Sequence, residues 1–428
     1  MAHQWVRHVT LHSRTCLKHY FTWLTCPKFS TSSVPFRRKD STGKSPGASS
    51  EPEEGSLEDY VSHESPKELL DNAAQYDNTV ETLDDVWTKG PYPHHSNYKQ
   101  SQAKFSKRPN IDPRETSVIL FPGQGTQFVG MGKDLLDYPN VEDMYHAASN
   151  ILGYDLLKLC LEGPPQALAK TVHQQPAIFV SSLAAVERMR EERPSSLENC
   201  VGVAGFSVGE IAALTFAGVF SFEEAIQLVK VRAEAMQLAS EITPSGMMTV
   251  MYGPDSRLGF ACSVAKEFCH HKDLPLVDCR IASYLYPHCK VIAGNDEALS
   301  FIEQNKSDFK LRRLKRLPVS GAFHTDLMKP AVAPLREMLT KIKVGEPLVP
   351  VHSNLDGKIY KNASQVKKNL PKQVFSPVRW EQTLHVLYER SQGTAFPKTY
   401  ECGPGTSLKT ILKMVNAKAW DSCHSIEA

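Results

Sequence analysis

A serine in a Gly-x-Ser-x-Gly pattern is the clearest candidate for chemistry in this sequence. Ser207 lies in GFSVG, directly after the apolar run VGVA (201–204) and directly before a helical pattern that begins at Glu210. A strand–turn–helix setting holds such a serine on a tight turn with its hydroxyl exposed, and the helix N-terminus favours negative charge that develops there. The pattern predicts a nucleophilic serine, and the alternative is a buried serine that only shapes a turn.

Two further segments could supply the groups that a serine nucleophile needs. His324 in GAFHT follows a predicted strand, and histidine is the side chain whose ordinary pKa suits a general base. The fold would have to bring it to Ser207, and a lone histidine is otherwise a satisfied core or surface residue. The segment FPGQGTQ (121–127) is a glycine-rich turn that lacks both phosphate-loop patterns. Its free backbone N–H groups suit an oxyanion hole.

The elements that must position these residues alternate between strand and helix. Residues 116–243 and 319–415 are predicted to form an α/β hydrolase-like large domain with a parallel sheet, because short apolar runs alternate there with helical patterns. Residues 244–318 read strand–helix–strand–strand–helix–strand, which is the ferredoxin-like order. We therefore expect a small ferredoxin-like domain inserted into the large one. Residues 416–428 are predicted to be a C-terminal tail.

Composition excludes several classes of protein. The 428 residues carry a net charge of +2, which gives no global reason to expect nucleic acid as a partner. No apolar run approaches the length of a membrane-spanning helix. The ten cysteines include no CxxC pair, and His270-His271 beside Cys269 has no second ligand pair at a suitable spacing. We therefore expect neither a disulfide scaffold nor a metal site.

The amino-terminal region differs from the rest of the chain. Residues 1–39 hold seven Lys and Arg and no Asp or Glu, and their apolar residues are spaced for one face of a helix. These features are typical of a mitochondrial transit peptide and predict a location in the matrix, with an unstructured basic tail as the alternative. Residues 40–115 are predicted to be a polar, largely disordered linker. A short helical stretch within 66–90 has no role that the sequence reveals.

The motifs together resemble a known family. GQGTQ, GFSVGE and GAFHT, with SPVRW (376–380) and ECGPG (401–405), are similar to those of the malonyl-CoA:acyl carrier protein transacylases. That family includes the acyltransferase domains of fatty-acid and polyketide synthases, and the resemblance covers about 116–415. It implies transfer of malonyl from malonyl-CoA to the phosphopantetheine thiol of an acyl carrier protein through a serine acyl-enzyme. It implies no metal or organic cofactor, and we expect a monomer.

The resemblance also implies a role for each matching residue. Ser207 would attack the thioester, and His324 would take its proton and later activate the thiol of the carrier. The backbone N–H groups of Gln124 and Val208 would hold the oxyanion. A backbone carbonyl that matches Gln373 would orient the histidine, so no triad aspartate is needed.

Specificity is expected to depend on Arg232. It lies in IQLVKVRAEAM and matches the family arginine that binds the malonyl carboxylate through two parallel hydrogen bonds. Without the resemblance, a solvated helix arginine is the simpler interpretation. Phe206 stands where bacterial members commonly carry histidine, so we expect altered packing or selectivity there. Phe323 beside His324 matches the malonyl-preferring pattern.

Two other functions and one basic segment stay open at this stage. A serine thioesterase or esterase would not need Arg232, although no acidic residue between Ser207 and His324 stands out as a third triad member. A catalytically silent scaffold that binds the carrier is the other alternative. The basic run at 310–316 is either a solvated edge strand or a contact for an acidic carrier or the phosphates of coenzyme A.

Overall fold

The computed structural model describes residues 111–428. The predicted transit peptide, the helical stretch within 66–90 and all but the end of the predicted linker lie outside these residues. The end of that linker forms a 3-10 turn at Pro113–Glu115, capped by the side chain of Asp112.

Strands and helices alternate along the described chain. The strands are β1 (Ser117–Phe121), β2 (Cys200–Gly205), β3 (Ser245–Tyr252), β4 (Cys279–Tyr286), β5 (Cys289–Asn295), β6 (Leu311–Arg316), β7 (Val351–His352), β8 (Val378–Arg379), β9 (Lys398–Gly403) and β10 (Cys423–Glu427). The helices are α1 (Val141–Leu152), α2 (Leu156–Glu162), α3 (Pro165–Leu168), α4 (Thr171–Glu192), α5 (Pro194–Glu198), α6 (Val208–Phe216), α7 (Phe222–Glu241), α8 (Leu258–His270), α9 (Asp296–Gln304), α10 (Val332–Lys341), α11 (Ala363–Gln373), α12 (Trp380–Tyr388), α13 (Ser407–Val415) and α14 (Ala417–Trp420).

A parallel sheet in the order β10-β9-β1-β2-β7 forms the centre of the larger part. Every residue of β1 and β2 is buried, because helices cover both faces of the sheet. That is why the sequences SVILF and CVGVAG read as continuous runs of small and apolar residues. Helix α4 packs against α6, α7 and β9, and it brings buried glutamines to the carboxyl end of the sheet.

The second sheet has the order β6-β3-β5-β4-β8. Its first four strands are antiparallel, and α8 and α9 pack on it around a separate apolar cluster. This is the predicted ferredoxin-like order. A strand from later in the chain, β8, adds to β4 in parallel and joins the second sheet to the segment that precedes α12. The predicted α/β fold, a parallel sheet with a second, mixed sheet of equal strand number, is confirmed.

The prediction of a tail at residues 416–428 is wrong. This segment forms α14 and then β10, which pairs in parallel with β9 as the edge strand of the large sheet. The sequence CHSIE contains only two buried side chains, Cys423 and Ile426, so its apolar pattern is too weak to predict a strand. Its position depends on backbone hydrogen bonds to β9, which sequence periodicity does not report.

Two helix boundaries also differ from the sequence pattern, which predicts helices over 141–160 and 176–192. The helical pattern at 141–160 is divided at Gly153, which has a φ of 84° and caps the end of α1. Helix α4 begins at Thr171 and tolerates Pro176 in its interior. Within residues 111–428, no helix is long and apolar enough to cross a membrane.

Candidate active site

Ser207 lies on the sharp turn between β2 and α6. Its backbone has φ 55° and ψ −109°, a conformation that a residue other than glycine rarely adopts. The glycines on either side make the turn possible. A Cβ on Gly205 would lie 1.8 Å from the carbonyl oxygen of Gly209, and a Cβ on Gly209 would lie 2.3 Å from that of Phe121. The pattern G-x-S-x-G is therefore a steric requirement here.

Asn354, in the loop after β7, fixes this turn. Its side-chain oxygen accepts a hydrogen bond from the backbone N–H of Ser207 at 2.8 Å, and its amide nitrogen donates to the carbonyl of Gly205 at 2.7 Å. The asparagine is fully buried. These two bonds satisfy backbone groups that the irregular turn would otherwise leave unpaired.

The fold brings His324 to Ser207. The imidazole Nε2 lies 2.9 Å from the serine Oγ, and Nδ1 lies 2.8 Å from the backbone carbonyl oxygen of Gln373. A carbonyl only accepts, so Nδ1 carries the proton and Nε2 is free to accept the serine proton. Burial, and then the nearby charge of Arg232, lower the pKa of His324 to about 4. The imidazole is therefore neutral near pH 7, as a general base must be.

Arg232 on α7 is buried beside the same hydroxyl, with 1% of its surface exposed. Its Nη2 donates to Ser207 Oγ at 3.0 Å and to the side-chain oxygen of Gln373 at 2.8 Å, while Nη1 donates to Gln175 at 2.6 Å. Burial lowers the pKa of the guanidinium to about 10, which leaves it charged at neutral pH. The interpretation of Arg232 as a solvated helix residue is therefore wrong.

The two predicted oxyanion donors lie on neighbouring turns. Val208 is the first residue of α6, and Gln124 is in the turn after β1. The turns are in contact, since a Cβ on Gly123 would lie 2.5 Å from the carbonyl oxygen of Phe206. Among residues 111–428, no hydrogen bond engages the backbone N–H of Val208 or of Gln124. The side chain of Gln124 is instead held by Gln174 and Gln175 on α4.

Gln373 joins several of these groups. Its backbone carbonyl binds His324, its side-chain oxygen binds Arg232, and its Nε2 donates to the Ser207 carbonyl at 2.8 Å and to Glu210 at 2.7 Å. The prediction used only the backbone carbonyl. The backbone and the side chain of Gln373 together thus link Ser207, His324 and Arg232.

The two phenylalanines that the sequence singled out flank the site. The ring of Phe206 packs edge-on against that of Trp380, with centroids 5.5 Å apart. Phe323 is buried in the main apolar cluster directly before His324. Both rings are packed against apolar neighbours at positions adjacent in sequence to Ser207 and His324.

The basic run forms the edge strand β6 of the second sheet. Arg316 is engaged in ion pairs with Asp296 at 3.3 Å and Glu303 at 3.1 Å, whereas Arg312, Arg313 and Lys315 are exposed. This segment is therefore an edge strand protected by charge. A contact with an acidic partner stays a prediction.

Sequence reasoning missed four residues of the site: Gln175, Glu210, Asn354 and Tyr360, whose hydroxyl donates a hydrogen bond to Glu210. Glu210 had a detectable signal, because it is the only charged residue in the apolar helix sequence VGEIAALTF. The other three lie in stretches without a chemical motif. In the part of the chain that the structure describes, no cluster of three or more His, Cys, Asp or Glu could hold a metal ion.

Comparisons with known proteins agree with this geometry. The family model described as "Acyl transferase domain" matches residues 118–395. The chain is 54% identical over 321 residues to the probable mitochondrial malonyl-CoA-acyl carrier protein transacylase of Drosophila melanogaster, covering 75% of this chain and 85% of that protein. It is 52% identical over 328 residues to the mitochondrial malonyl-CoA-acyl carrier protein transacylase of Homo sapiens, covering 77% of this chain and 84% of that protein.

Solved structures give the same result. An acyl carrier protein S-malonyltransferase from Vibrio cholerae has a TM-score of 0.64 at 31% identity, covering 73% of this chain and 96% of that one. A malonyl-transacylase in complex with its type II polyketide acyl carrier protein has a TM-score of 0.64 at 32% identity, with the same coverage. The chain belongs to the acyl transferase domain family and, within it, to the malonyl-CoA-acyl carrier protein transacylases.

Proposed function

We propose that this chain is an acyltransferase that moves malonyl from malonyl-CoA to the phosphopantetheine thiol of an acyl carrier protein. The observation that carries the proposal is the position of Arg232, a buried guanidinium 3.0 Å from the hydroxyl of Ser207. A cation next to the nucleophile suits an acyl group that ends in a carboxylate. The names of the relatives, and the carrier-bound structure of one neighbour, support the same donor and acceptor.

Arg232 favours malonyl over acetyl for an electrostatic reason. Its two terminal nitrogens match the two oxygens of a carboxylate and can form parallel charge-assisted hydrogen bonds. In the free enzyme these nitrogens are occupied by the neutral oxygens of Gln175, Gln373 and Ser207. A malonyl carboxylate can replace such a neutral acceptor with a charged one, and an acetyl group cannot.

In the first half of the reaction, Ser207 attacks the thioester carbonyl carbon while its proton passes to Nε2 of His324. The oxyanion that forms is held by the backbone N–H groups of Val208 and Gln124. The C–S bond then breaks, and the thiolate of coenzyme A takes the proton from His324. The products are malonyl-Ser207 and free coenzyme A.

In the second half, the phosphopantetheine thiol gives its proton to His324 and attacks the same carbonyl carbon. The ester bond to Ser207 breaks, and the serine oxygen recovers the proton from His324. The carbonyl of Gln373 keeps the imidazole in the tautomer that both halves require, at 2.8 Å from Nδ1.

A hydrolase would use the same nucleophile and base with water as acceptor. The buried cation at Arg232 is of no benefit to a general esterase or thioesterase. The buried charge of Arg232 beside Ser207 therefore favours the transferase over the hydrolase, and the intact pair of Ser207 and His324 argues against a silent scaffold.

The relatives' names also bear on location. The relatives from Drosophila, human and mouse are named as mitochondrial, and the basic, acid-free residues 1–39 agree with that location. We propose that the enzyme acts in the matrix, as a monomer, and supplies mitochondrial fatty-acid synthesis.

The experiment that tests the proposed function is a transfer assay with malonyl-CoA and holo-carrier. Malonyl-carrier, detected by mass spectrometry, should form with one equivalent of free coenzyme A. Ser207→Ala and carrier that lacks phosphopantetheine should each abolish the product. Release of free malonate at the same rate with and without carrier would identify a hydrolase and overturn the proposal.

A further inference from the structure

Glu210 is a buried carboxylate that the two half-reactions do not use. It lies in the first turn of α6 with no exposed surface. Oε1 accepts a hydrogen bond from the hydroxyl of Tyr360 at 2.5 Å, and Oε2 accepts from the backbone N–H of Asn354 at 3.2 Å and from Nε2 of Gln373 at 2.7 Å. A burial this complete is costly for a carboxylate, so a specific role is expected of it.

The bond to Gln373 decides which way that side-chain amide points. An ionised carboxylate only accepts hydrogen bonds, so it holds the NH2 end of the amide towards itself. The oxygen end therefore faces Arg232, where it accepts from Nη2 at 2.8 Å. A reversed amide would set an oxygen against the carboxylate of Glu210 and an NH2 group against the guanidinium.

The same glutamine holds the base. Its backbone carbonyl accepts from Nδ1 of His324 at 2.8 Å, and its Nε2 also donates to the carbonyl of Ser207 at 2.8 Å. Any displacement of Gln373 would therefore disturb the hydrogen bonds of the imidazole, of the guanidinium and of the serine turn.

We propose that Glu210, in its ionised form, is a positioning residue that acts through Gln373 to hold His324 and Arg232 in their working geometry. The inference deepens the proposed function, because it assumes that malonyl transfer proceeds at Ser207. Glu210 does not touch the reacting atoms in this account.

The charge state of Glu210 gives the proposal a distinctive signature. Burial raises the pKa of Glu210 to about 7, and the hydrogen bonds from Tyr360 and Gln373 and the charge of Arg232 oppose that rise. Tyr360 and Arg232 are the titratable side chains that act on it. Activity should therefore increase with pH through about 7 as the carboxyl group ionises.

The test uses Glu210→Gln, which keeps the shape and removes the charge. Because a hydrogen bond to a charged group is replaced by a neutral one, kcat for malonyl transfer should fall about tenfold to hundredfold. The increase in rate near pH 7 should be absent from the variant. A kcat within twofold of wild type, with the pH profile unchanged, would overturn the proposal.

Two further variants separate positioning from folding. Tyr360→Phe removes the hydrogen bond that most lowers the pKa of Glu210, so the midpoint of the pH profile should move upwards. An unmoved midpoint in the folded variant would overturn the proposal, even if Glu210→Gln failed to fold. Glu223→Gln, which alters an exposed carboxylate in the first turn of α7, should match wild type throughout. A wild-type enzyme that transfers no malonyl would refute the proposed function instead.

Discussion

Replacement of Arg232 by alanine should convert a malonyl-selective enzyme into one with little preference. The guanidinium is buried, so a malonyl carboxylate that enters the site of the variant loses water and finds no cation. An unpaired buried charge of this kind costs about 2–5 kcal/mol. At 1.36 kcal/mol per factor of ten, kcat/KM for malonyl-CoA should fall between about 30-fold and 5,000-fold.

Acetyl-CoA provides the internal reference. Arg232 also donates to Ser207 Oγ, and loss of that bond affects both substrates to the same extent. The ratio of kcat/KM for malonyl-CoA to that for acetyl-CoA therefore isolates the contribution of the carboxylate. In a quenched-flow time course, the mass of the intact protein reports acylation of Ser207 by each substrate. These rates give kcat/KM for malonyl-CoA and for acetyl-CoA.

A matched control lies on the same helix. Lys230 is two residues away, and its Nζ donates to the carbonyl of Ile151, remote from the nucleophile. Lys230→Ala should leave the malonyl-to-acetyl ratio unchanged. A ratio in folded Arg232→Ala that stays within twofold of wild type would refute the assignment of Arg232 to the carboxylate.

Four further predictions concern His324, the pH dependence of Glu210→Gln, the serine turn and the edge strand. His324→Ala should slow both half-reactions by about a hundredfold to ten-thousandfold, measured separately as acylation and as deacylation by carrier. Since the pKa of His324 is lowered to about 4, the residual activity of Glu210→Gln should decline only as the pH falls towards that value, which a pH profile of acylation checks. Asn354→Ala leaves the N–H of Ser207 and the carbonyl of Gly205 without their partner, so urea unfolding should report a loss of about 1–3 kcal/mol. Truncation after Ser422 removes β10, so the melting temperature should fall, whereas a free tail would leave it unchanged.

The sequence predicts much of this fold because its buried strands are compositionally distinct. β1 and β2 are covered on both faces and read as short apolar runs, and the order of the second sheet follows from alternating strand and helix patterns. The edge strand β10 has two buried side chains and depends on pairing with β9, so its sequence carries little signal. A strand is thus easier to predict from the sequence when more of its side chains are buried.

The same distinction holds in the site. Ser207 and His324 lie in short motifs, and the residue types and turn glycines of these motifs are enough to predict a nucleophile and a base. Asn354 holds the serine turn across 147 residues of sequence, and its neighbours VHSNLDG contain no chemical pattern. Gln175 is an ordinary polar residue until the fold buries it, whereas Glu210 is marked in the sequence by being the one charge in VGEIAALTF. The partners of both residues become visible only when long-range contacts are known.

The most direct test of the account is a single-turnover mass measurement on the enzyme. Wild type and Ser207→Ala are mixed briefly with malonyl-CoA, the mass of each intact protein is measured, and holo-carrier is then added. We predict one malonyl adduct, on wild type alone, that leaves the enzyme and appears on the carrier. An adduct that is lost to water as free malonate, or a folded wild-type protein that never acquires one, would contradict transfer through Ser207.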